Sequence, residues 1–267
     1  MPFPYKTVLV TGATSGIGRA LSQRMIEAGG IYVIAVGRNR ARLDELAATY
    51  GPEKIAIEQL DVSDLSALRS WSERIVKTYP SLDCVFLNAG FQQMVDFTDP
   101  ETSSRMMLEK LDSEVRTNYL AVLHLVAHFL PHLIARHPEP AAVALVSSCL
   151  ALAPQPQTAN YCASKAAVHS LAWSLRAQLD GREKEKKKTD HVRVIELLPP
   201  AVKTELHLRQ GRDELGMELG DYVDDTWAQL TADEDVLEII PMQARRQGMD
   251  KVEDEKRKLF EGFRLAC

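Results

Sequence analysis

Short apolar runs rich in β-branched residues alternate along the chain with longer segments of helical periodicity. The short runs predict strands at residues 7–11, 31–36, 55–60, 84–87, 142–146 and 192–197. The periodic segments predict helices at residues 17–28, 39–50, 65–78, 112–134 and 161–179. Several strands are apolar on both faces, which is typical of a parallel sheet covered by helices on either side. The alternation therefore predicts right-handed βαβ units and an α/β fold with a doubly wound sheet.

The remaining segments indicate no second domain. Residues 181–190, GREKEKKKTD, are dense in charge and predict an exposed loop. Residues 203–225 follow a strand end, where ligand sites of α/β sheets form, and predict a substrate lid, with a plain helical connection as the alternative. A last, short strand is predicted at residues 238–241 and a terminal helix at residues 250–267. We therefore expect one domain over residues 1–267.

Charge and cysteine content narrow the classes of function. The 37 Asp and Glu residues outnumber the 32 Lys and Arg residues, so nucleic acid and anionic membranes are not the expected partners. The four cysteines form no CxxC pair, which disfavours a zinc site and favours a reducing, cytoplasmic setting. No apolar run of membrane-spanning length and no secretion signal are evident. Histidines 124, 128 and 132 recur on one helix without a carboxylate or cysteine companion, so no metal is expected.

A glycine-rich loop joins the first strand to the first helix, with the sequence TGATSGIG over residues 11–18. Glycines let the backbone turn tightly against a pyrophosphate, and a helix N-terminus offers free N–H groups and the positive end of a dipole. The loop therefore predicts a dinucleotide site, with a purely structural turn as the alternative. The candidate ligand residues in it are Gly12, Thr14, Ser15, Gly16, Ile17 and Gly18.

The end of the second strand predicts which dinucleotide binds. Folds that bind NAD usually place an acidic residue there, which accepts from the ribose hydroxyls and repels a phosphate. Residues 37–40 read Gly-Arg-Asn-Arg, without an acid. The planar guanidinium of Arg38 is suited to a 2′-phosphate, which favours NADP(H). Ser15 is not basic, so NAD(H) stays possible.

Tyr161 and Lys165 are four residues apart on a predicted helix and therefore share one face. A free phenol has a pKa of about 10, which is high for proton exchange at neutral pH. A neighbouring ammonium favours the phenolate and lowers that pKa. The pair therefore predicts an acid/base group of the kind that hydride transfer to a carbonyl requires.

Taken together, TGATSGIG, Asn88-Ala89-Gly90 and Tyr161-Cys162-Ala163-Ser164-Lys165 resemble the motifs of the short-chain dehydrogenase/reductase family. The resemblance implies a Rossmann-type three-layer sandwich with a mainly parallel seven-stranded sheet. It also implies that Ser148 holds the substrate oxygen, Tyr161 donates the proton, Lys165 assists it and binds the ribose, and Asn118 orders a water. The further cofactor contacts that it implies are Asp61, Val62, Asn88, Ala89, Gly90, Tyr161, Lys165, Pro199, Val202 and Thr204.

Pro199-Pro200-Ala201-Val202, together with the segment around Tyr161, resembles the subgroup named after the oxidoreductase of bacterial D-alanylation operons. The implied activity is that of a carbonyl reductase or alcohol dehydrogenase on a small molecule, in a homodimer or homotetramer. A catalytically weak nucleotide-binding regulator and an NAD-dependent alcohol dehydrogenase are the alternatives. Four residues that adjoin the motifs are candidates for the substrate pocket: Phe91, Gln92, Leu150 and Gln155.

Overall fold

The computed structural model describes residues 3–180, 188–208, 210, 215–232 and 236–266. Its strands are β1 (Thr7–Thr11), β2 (Tyr32–Gly37), β3 (Ile55–Gln59), β4 (Cys84–Leu87), β5 (Ala141–Val146), β6 (Val192–Leu197) and β7 (Glu238–Ile239). They form one parallel sheet of seven strands in the order β3-β2-β1-β4-β5-β6-β7. The predicted doubly wound, seven-stranded sheet is thereby confirmed.

Helices cover both faces of this sheet. They are α1 (Gly16–Ala28), α2 (Arg40–Tyr50), α3 (Leu65–Thr78), α4 (Arg105–Val115), α5 (Ala121–Ala135), α6 (Ala159–Asp180), α7 (Glu205–Leu208), α8 (Leu219–Leu230), α9 (Met242–Arg246) and α10 (Met249–Ala266). Successive strand residues point to opposite faces. In β1, Val8 and Val10 therefore pack with α1, α2 and α8, whereas Leu9 packs with α3, α5 and α6. The result is the predicted three-layer sandwich.

The main correction to the predicted elements concerns the helix expected at residues 112–134. The helix begins at Arg105, where the Ser104 side chain accepts from the Met107 N–H, and a single π turn at Arg116–Leu120 separates α4 from α5. Met106 and Leu108 are exposed, so the first turns lack the apolar face by which helices are recognised in a sequence. The last strand ends at Ile239 rather than at residue 241, since Pro241 has no N–H to donate to a neighbouring strand.

The helical stretch Arg105–Ala135 is also long and apolar enough, by length and composition, to cross a membrane. This corrects the expectation that no segment of the chain would meet that test. Core helices meet it as well, and in this helix Leu125 and Phe129 are buried against the sheet. The remaining predicted bounds lie within about two residues of the observed ones.

Two predicted segments are described only in part. Residues 181–187 of the charged segment lie outside the described residues, and so do several residues of the predicted lid. The described part of the lid contains α7 and the start of α8. A bridge from Val202, just before the lid, to Met217 joins the start of this segment to its middle.

Candidate active site

The glycine-rich loop lies between β1 and β4, where the strand order reverses and ligands of such sheets bind. Gly12 and Gly16 have φ of +70° and +50°, which side chains other than hydrogen rarely tolerate. A Cβ on Gly18 would lie 2.4 Å from the Gly12 carbonyl oxygen. Ser15 precedes α1 without forming a side-chain cap, and the first turn carries no acid. The loop therefore fits a pyrophosphate against the N–H groups of α1.

Residues at the end of β4 hold this loop in place. Thr11 Oγ accepts from the N–H groups of Asn88 at 3.0 Å and Ala89 at 3.1 Å. Asn88 Nδ2 in turn donates to the Thr11 carbonyl at 3.0 Å. A Cβ on Gly90 would lie 3.4 Å from Lys165 Nζ, so the predicted cofactor segment at residues 88–90 reaches the lysine predicted to be catalytic.

The end of β2 approaches the same loop. A Cβ on Gly37 would lie 2.5 Å from the Thr14 side chain. The next residue, Arg38, is 65% exposed, and its Nη1 lies 3.6 Å from a carboxylate oxygen of Asp61. Val62, also predicted to contact the cofactor, is buried. Arg38, predicted to bind the phosphate, therefore lies near the glycine-rich loop with most of its side chain exposed and with Asp61 as an acidic neighbour.

A second arginine at this position was not predicted from the sequence. Arg42 Nη1 lies 3.4 Å from the Thr14 carbonyl oxygen and 2.6 Å from a carboxylate oxygen of Glu205 in α7. Arg42 thus joins the glycine-rich loop to the predicted lid. Arg42 lies in the first turn of α2, where its N–H donates to the capping Asn39, and this position close after β2 is the sequence signal that could have identified it.

Tyr161 and Lys165 are brought together on α6 as predicted, and both are buried. Lys165 Nζ lies 5.7 Å from the centre of the Tyr161 ring and donates to the Val146 carbonyl at 2.8 Å. Burial raises the pKa of Tyr161, while a hydrogen bond with the Ser148 side chain opposes this. The pKa of Tyr161 is thus raised by burial, whereas the sequence predicted that the neighbouring Lys165 would lower it. Burial lowers the pKa of Lys165 to about 8.

Ser148 lies just after β5, in a loop bonded to the loop after β6. Its Oγ accepts from the Leu150 N–H at 3.1 Å and lies 3.4 Å from the Pro199 carbonyl oxygen. The Cys149 N–H donates to the same carbonyl at 2.9 Å. Two predicted residues, Leu150 of the pocket and Pro199 of the cofactor site, therefore lie beside Ser148.

Asn118 occupies the π turn, a geometry that often marks a functional site within a helix. Its side chain is fully buried and exchanges two hydrogen bonds with the backbone of Phe91, at 3.0 and 2.9 Å. The amide also donates to Ser164 Oγ at 3.1 Å. Asn118 therefore anchors the segment after β4 to α6, the helix that carries Tyr161 and Lys165.

A buried carboxylate near Lys165, Glu114, was not predicted from the sequence, where it has the properties of a helical surface residue. Glu114 accepts from the Gln93 N–H at 2.8 Å and from Asn160 Nδ2 at 2.6 Å. Burial raises the pKa of this carboxyl group. Its charge in turn raises the pKa of Lys165, against the larger effect of burial. Glu114 is therefore the acidic group that opposes deprotonation of the lysine.

The described part of the lid contacts the predicted substrate pocket and the phosphate loop. Gln210 Nε2 donates to the Gln92 carbonyl at 3.0 Å. A Cβ on Gly16 would lie 3.3 Å from Thr204 Cβ, so Thr204 closes over the loop. Gln155 lies farther along, with its N–H bonded to Cys162 Sγ at 3.3 Å.

Other groups considered in the sequence lie apart from this site. Cys84, Cys149 and Cys162 are free and buried, and burial raises the pKa of Cys149 to about 12, so this thiol is inert at neutral pH. Among the described residues, one set of potential metal ligands clusters, namely His137, Asp190 and His191. It lies by the amino end of β6, at the opposite edge of the sheet from Ser148.

Comparison with known proteins agrees with this geometry. A family model for the short chain dehydrogenases matches residues 6–215. A protein of Bacillus subtilis (strain 168), "uncharacterized oxidoreductase DltE", is 38% identical over 81% of this chain and 79% of its own. A short-chain dehydrogenase of Sphingobium yanoikuyae in complex with NADPH has a TM-score of 0.75 at 26% identity, over 95% of each chain. One of Burkholderia phymatum in complex with NAD has a TM-score of 0.77 at 20% identity, over 97% and 96% of the two chains.

The chain belongs to the short-chain dehydrogenase/reductase family and is an oxidoreductase of that family. Its similarity to the DltE protein confirms the predicted subgroup. The expectation of NADP(H) agrees with the NADPH that the Sphingobium yanoikuyae dehydrogenase holds.

Proposed function

We propose that this chain is an NADP(H)-dependent oxidoreductase that transfers a hydride between nicotinamide and the carbon of an aldehyde, ketone or alcohol. One observation carries the proposal. A buried, protonated Tyr161 lies beside Ser148 and Lys165 at the carboxyl ends of the strands, next to a glycine cradle that fits a pyrophosphate. When bound, the nicotinamide supplies or accepts the hydride.

The acid/base roles follow from the pKa of each group. Because burial raises the pKa of Tyr161, this phenol holds a proton at neutral pH and can give it to a carbonyl oxygen as that oxygen gains charge. Ser148 Oγ holds the same oxygen and stabilises its developing charge. Lys165, with a pKa of about 8, is mostly an ammonium at pH 7 and returns a proton to Tyr161. Asn118 keeps α6 and the segment after β4 at the spacing that this transfer needs.

Preference for NADP(H) is supported by the absence of an acid at the end of β2 and by two arginines at the glycine-rich loop. Arg38 is exposed enough to turn toward a 2′-phosphate, which would compete with Asp61. The Sphingobium structure with NADPH, at 26% identity, agrees with this preference. NAD(H) is the alternative cofactor.

Substrate class and setting are proposed by resemblance to the family. The substrate is a small carbonyl compound or alcohol, held between the segment after β4 and the lid. Phe91, Gln92, Leu150 and Gln155 are the candidate pocket residues. A cytoplasmic homodimer or homotetramer is the expected form, and neither nucleic acid nor a membrane is an expected partner.

The test is consumption of NADPH and of NADH by the purified protein over a panel of aldehydes, ketones and diketones. Tyr161→Phe removes the proton donor and should abolish most turnover while cofactor still binds. Tyr5→Phe, a second buried tyrosine near the amino end of β1, is the matched control and should retain turnover. Equal turnover in wild type and Tyr161→Phe would contradict the proposal. Cofactor binding without turnover on any compound would favour the regulatory alternative.

A further inference from the structure

A buried carboxylate lies directly behind the catalytic serine loop. The Glu196 side chain in β6 is fully buried, and its Oε1 accepts from Ser147 Oγ at 2.5 Å. His169 Nδ1 lies 2.9 Å from the same oxygen. A carboxylate in the interior is costly unless it is hydrogen-bonded. These contacts therefore connect Glu196 on one side to the residue before Ser148 and on the other to α6.

The other ring nitrogen of His169 faces α10. Its Nε2 lies 2.8 Å from Lys256 Nζ, an ammonium that can only donate. Nε2 must therefore accept, and the ring proton is left on Nδ1, from which it is donated to Glu196. Glu253 Oε2 lies 3.4 Å from Nε2 and adds negative charge at this end of the ring. The docked position of α10 thus determines which tautomer His169 adopts.

The series of hydrogen bonds that begins at Lys256 of α10 reaches the proposed catalytic groups by two routes. Through Glu196 it reaches Ser147, whose N–H donates to the Leu197 carbonyl at 2.9 Å and so fixes the start of the Ser148 loop. Through α6 it reaches Lys165, which lies one turn before His169 on the same helix. None of these contacts is needed to close the sheet, because the β5–β6 ladder is already complete.

The fold provides an internal comparison for this arrangement. Glu238 in β7 is the direct cross-strand neighbour of Glu196 and is also buried. It pairs with Arg176 on α6 at 2.6 Å and with Arg257 on α10. Arg176 is also 3.9 Å from Glu196. The two glutamates thus share a strand pair, an arginine and contact with α6, but only Glu196 bonds the serine loop.

We propose that Glu196 and His169 are positioning residues for Ser148, and that docking of α10 through Lys256 holds them in the productive arrangement. The inference rests on the proposed oxidoreductase function for its kinetic readout. Loss of the hydrogen bonds that run from Lys256 through His169 and Glu196 should displace Ser148 from the substrate oxygen. This displacement should lower kcat and leave cofactor affinity unchanged.

The experiment compares Glu196→Gln with Glu238→Gln in the full chain. We expect Glu196→Gln to lower kcat by about 10-fold, with KM for the cofactor within about twofold of wild type, as expected when a catalytic group is misplaced by a fraction of an ångström. Glu238→Gln should lose comparable thermal stability yet retain kcat. Ser147→Ala should reproduce the loss in kcat, and the double variant with Glu196→Gln should lose no more than either single variant, because both act along one route.

A second readout does not depend on turnover. Amide hydrogen exchange of residues 147–152 should speed up in Glu196→Gln and in Lys256→Met, but not in Glu238→Gln. Lys256→Met lies on α10 and keeps the test valid if Glu196→Gln does not fold. Equal losses of kcat in the two glutamine variants, or unchanged exchange in Lys256→Met and Glu196→Gln, would overturn the proposal. If the wild type turned over no substrate, the exchange result would still decide the positioning proposal. Failure of the positioning proposal can therefore be distinguished from failure of the proposed oxidoreductase function.

Discussion

Replacement of Glu114 by glutamine tests the electrostatics of Lys165, the lysine of the proposed catalytic group. Burial brings the pKa of Lys165 from 10.5 down to about 8, equivalent to roughly 3 kcal/mol in favour of the neutral amine. Glu114 is the carboxylate that opposes this change. An opposite charge nearby shifts a pKa by about 1–3 units, so we expect Glu114→Gln to lower the pKa of Lys165 by about one unit.

The expected effect is on the alkaline side of the pH profile. At pH 7.5 a lysine of pKa about 8 is mostly ammonium, and a lysine whose pKa is about one unit lower is mostly the neutral amine. If reduction needs the ammonium, kcat/KM with NADPH should fall as pH rises through about 8 in wild type and about one unit lower in the variant. The pKa of Tyr161 is raised by burial, so the phenol does not account for a fall near pH 8.

The assay is kcat/KM for carbonyl reduction from pH 6 to 10 under constant ionic strength. Asp83→Asn is the matched control, because Asp83 is a buried carboxylate that bonds the N–H groups of Lys6 and Thr7 at the opposite edge of the sheet. Its profile should coincide with that of wild type. An alkaline limb in Glu114→Gln that stays in place, or that moves to higher pH, would refute the reasoning.

Three further predictions concern the cofactor site and its support. Gly18→Ala should weaken NADPH binding at least about 10-fold in a fluorescence titration, because its Cβ would lie 2.4 Å from a carbonyl oxygen, whereas Gly220→Ala, with no atom within 4 Å, should not. Arg38→Ala and Arg42→Ala should each raise the Kd for NADPH by about 10-fold and leave the Kd for NADH within about twofold of wild type. Equal effects on both cofactors would mean that these arginines stabilise the fold and do not bind the 2′-phosphate. Asn118→Ala leaves two backbone groups without a partner and should lower the free energy of unfolding in urea by about 2 kcal/mol or more, and an unchanged midpoint would contradict this.

The fold and the order of the catalytic motifs could be read from the sequence because they depend on local patterns. The first four β-strands and the helices between them lie in about the first 90 residues, and local apolar runs and glycine positions were enough to predict them. Tyr161 and Lys165 are one helical turn apart, so their proximity needs no tertiary information. The start of α4 was missed because its first turns expose Met106 and Leu108 and present no apolar face.

The charges around the site could not be read from the sequence. Glu114 lies 46 residues from its partner Asn160, Ser147 lies 49 residues from Glu196, and Lys256 lies 87 residues from His169. In the sequence, Glu114, Glu196 and Lys256 look like ordinary solvent-exposed residues of a helix or strand.

The sequence by itself determined the α/β architecture, the glycine cradle and the residue types of the catalytic group. Only the tertiary structure decided which carboxylates are buried, that burial raises the pKa of Tyr161 rather than lowering it, and that Arg42 contacts Glu205 of α7. The reason is physical: periodicity and turn chemistry act over a few residues, whereas burial and the pKa values that depend on it arise only when the sheet brings distant segments into contact.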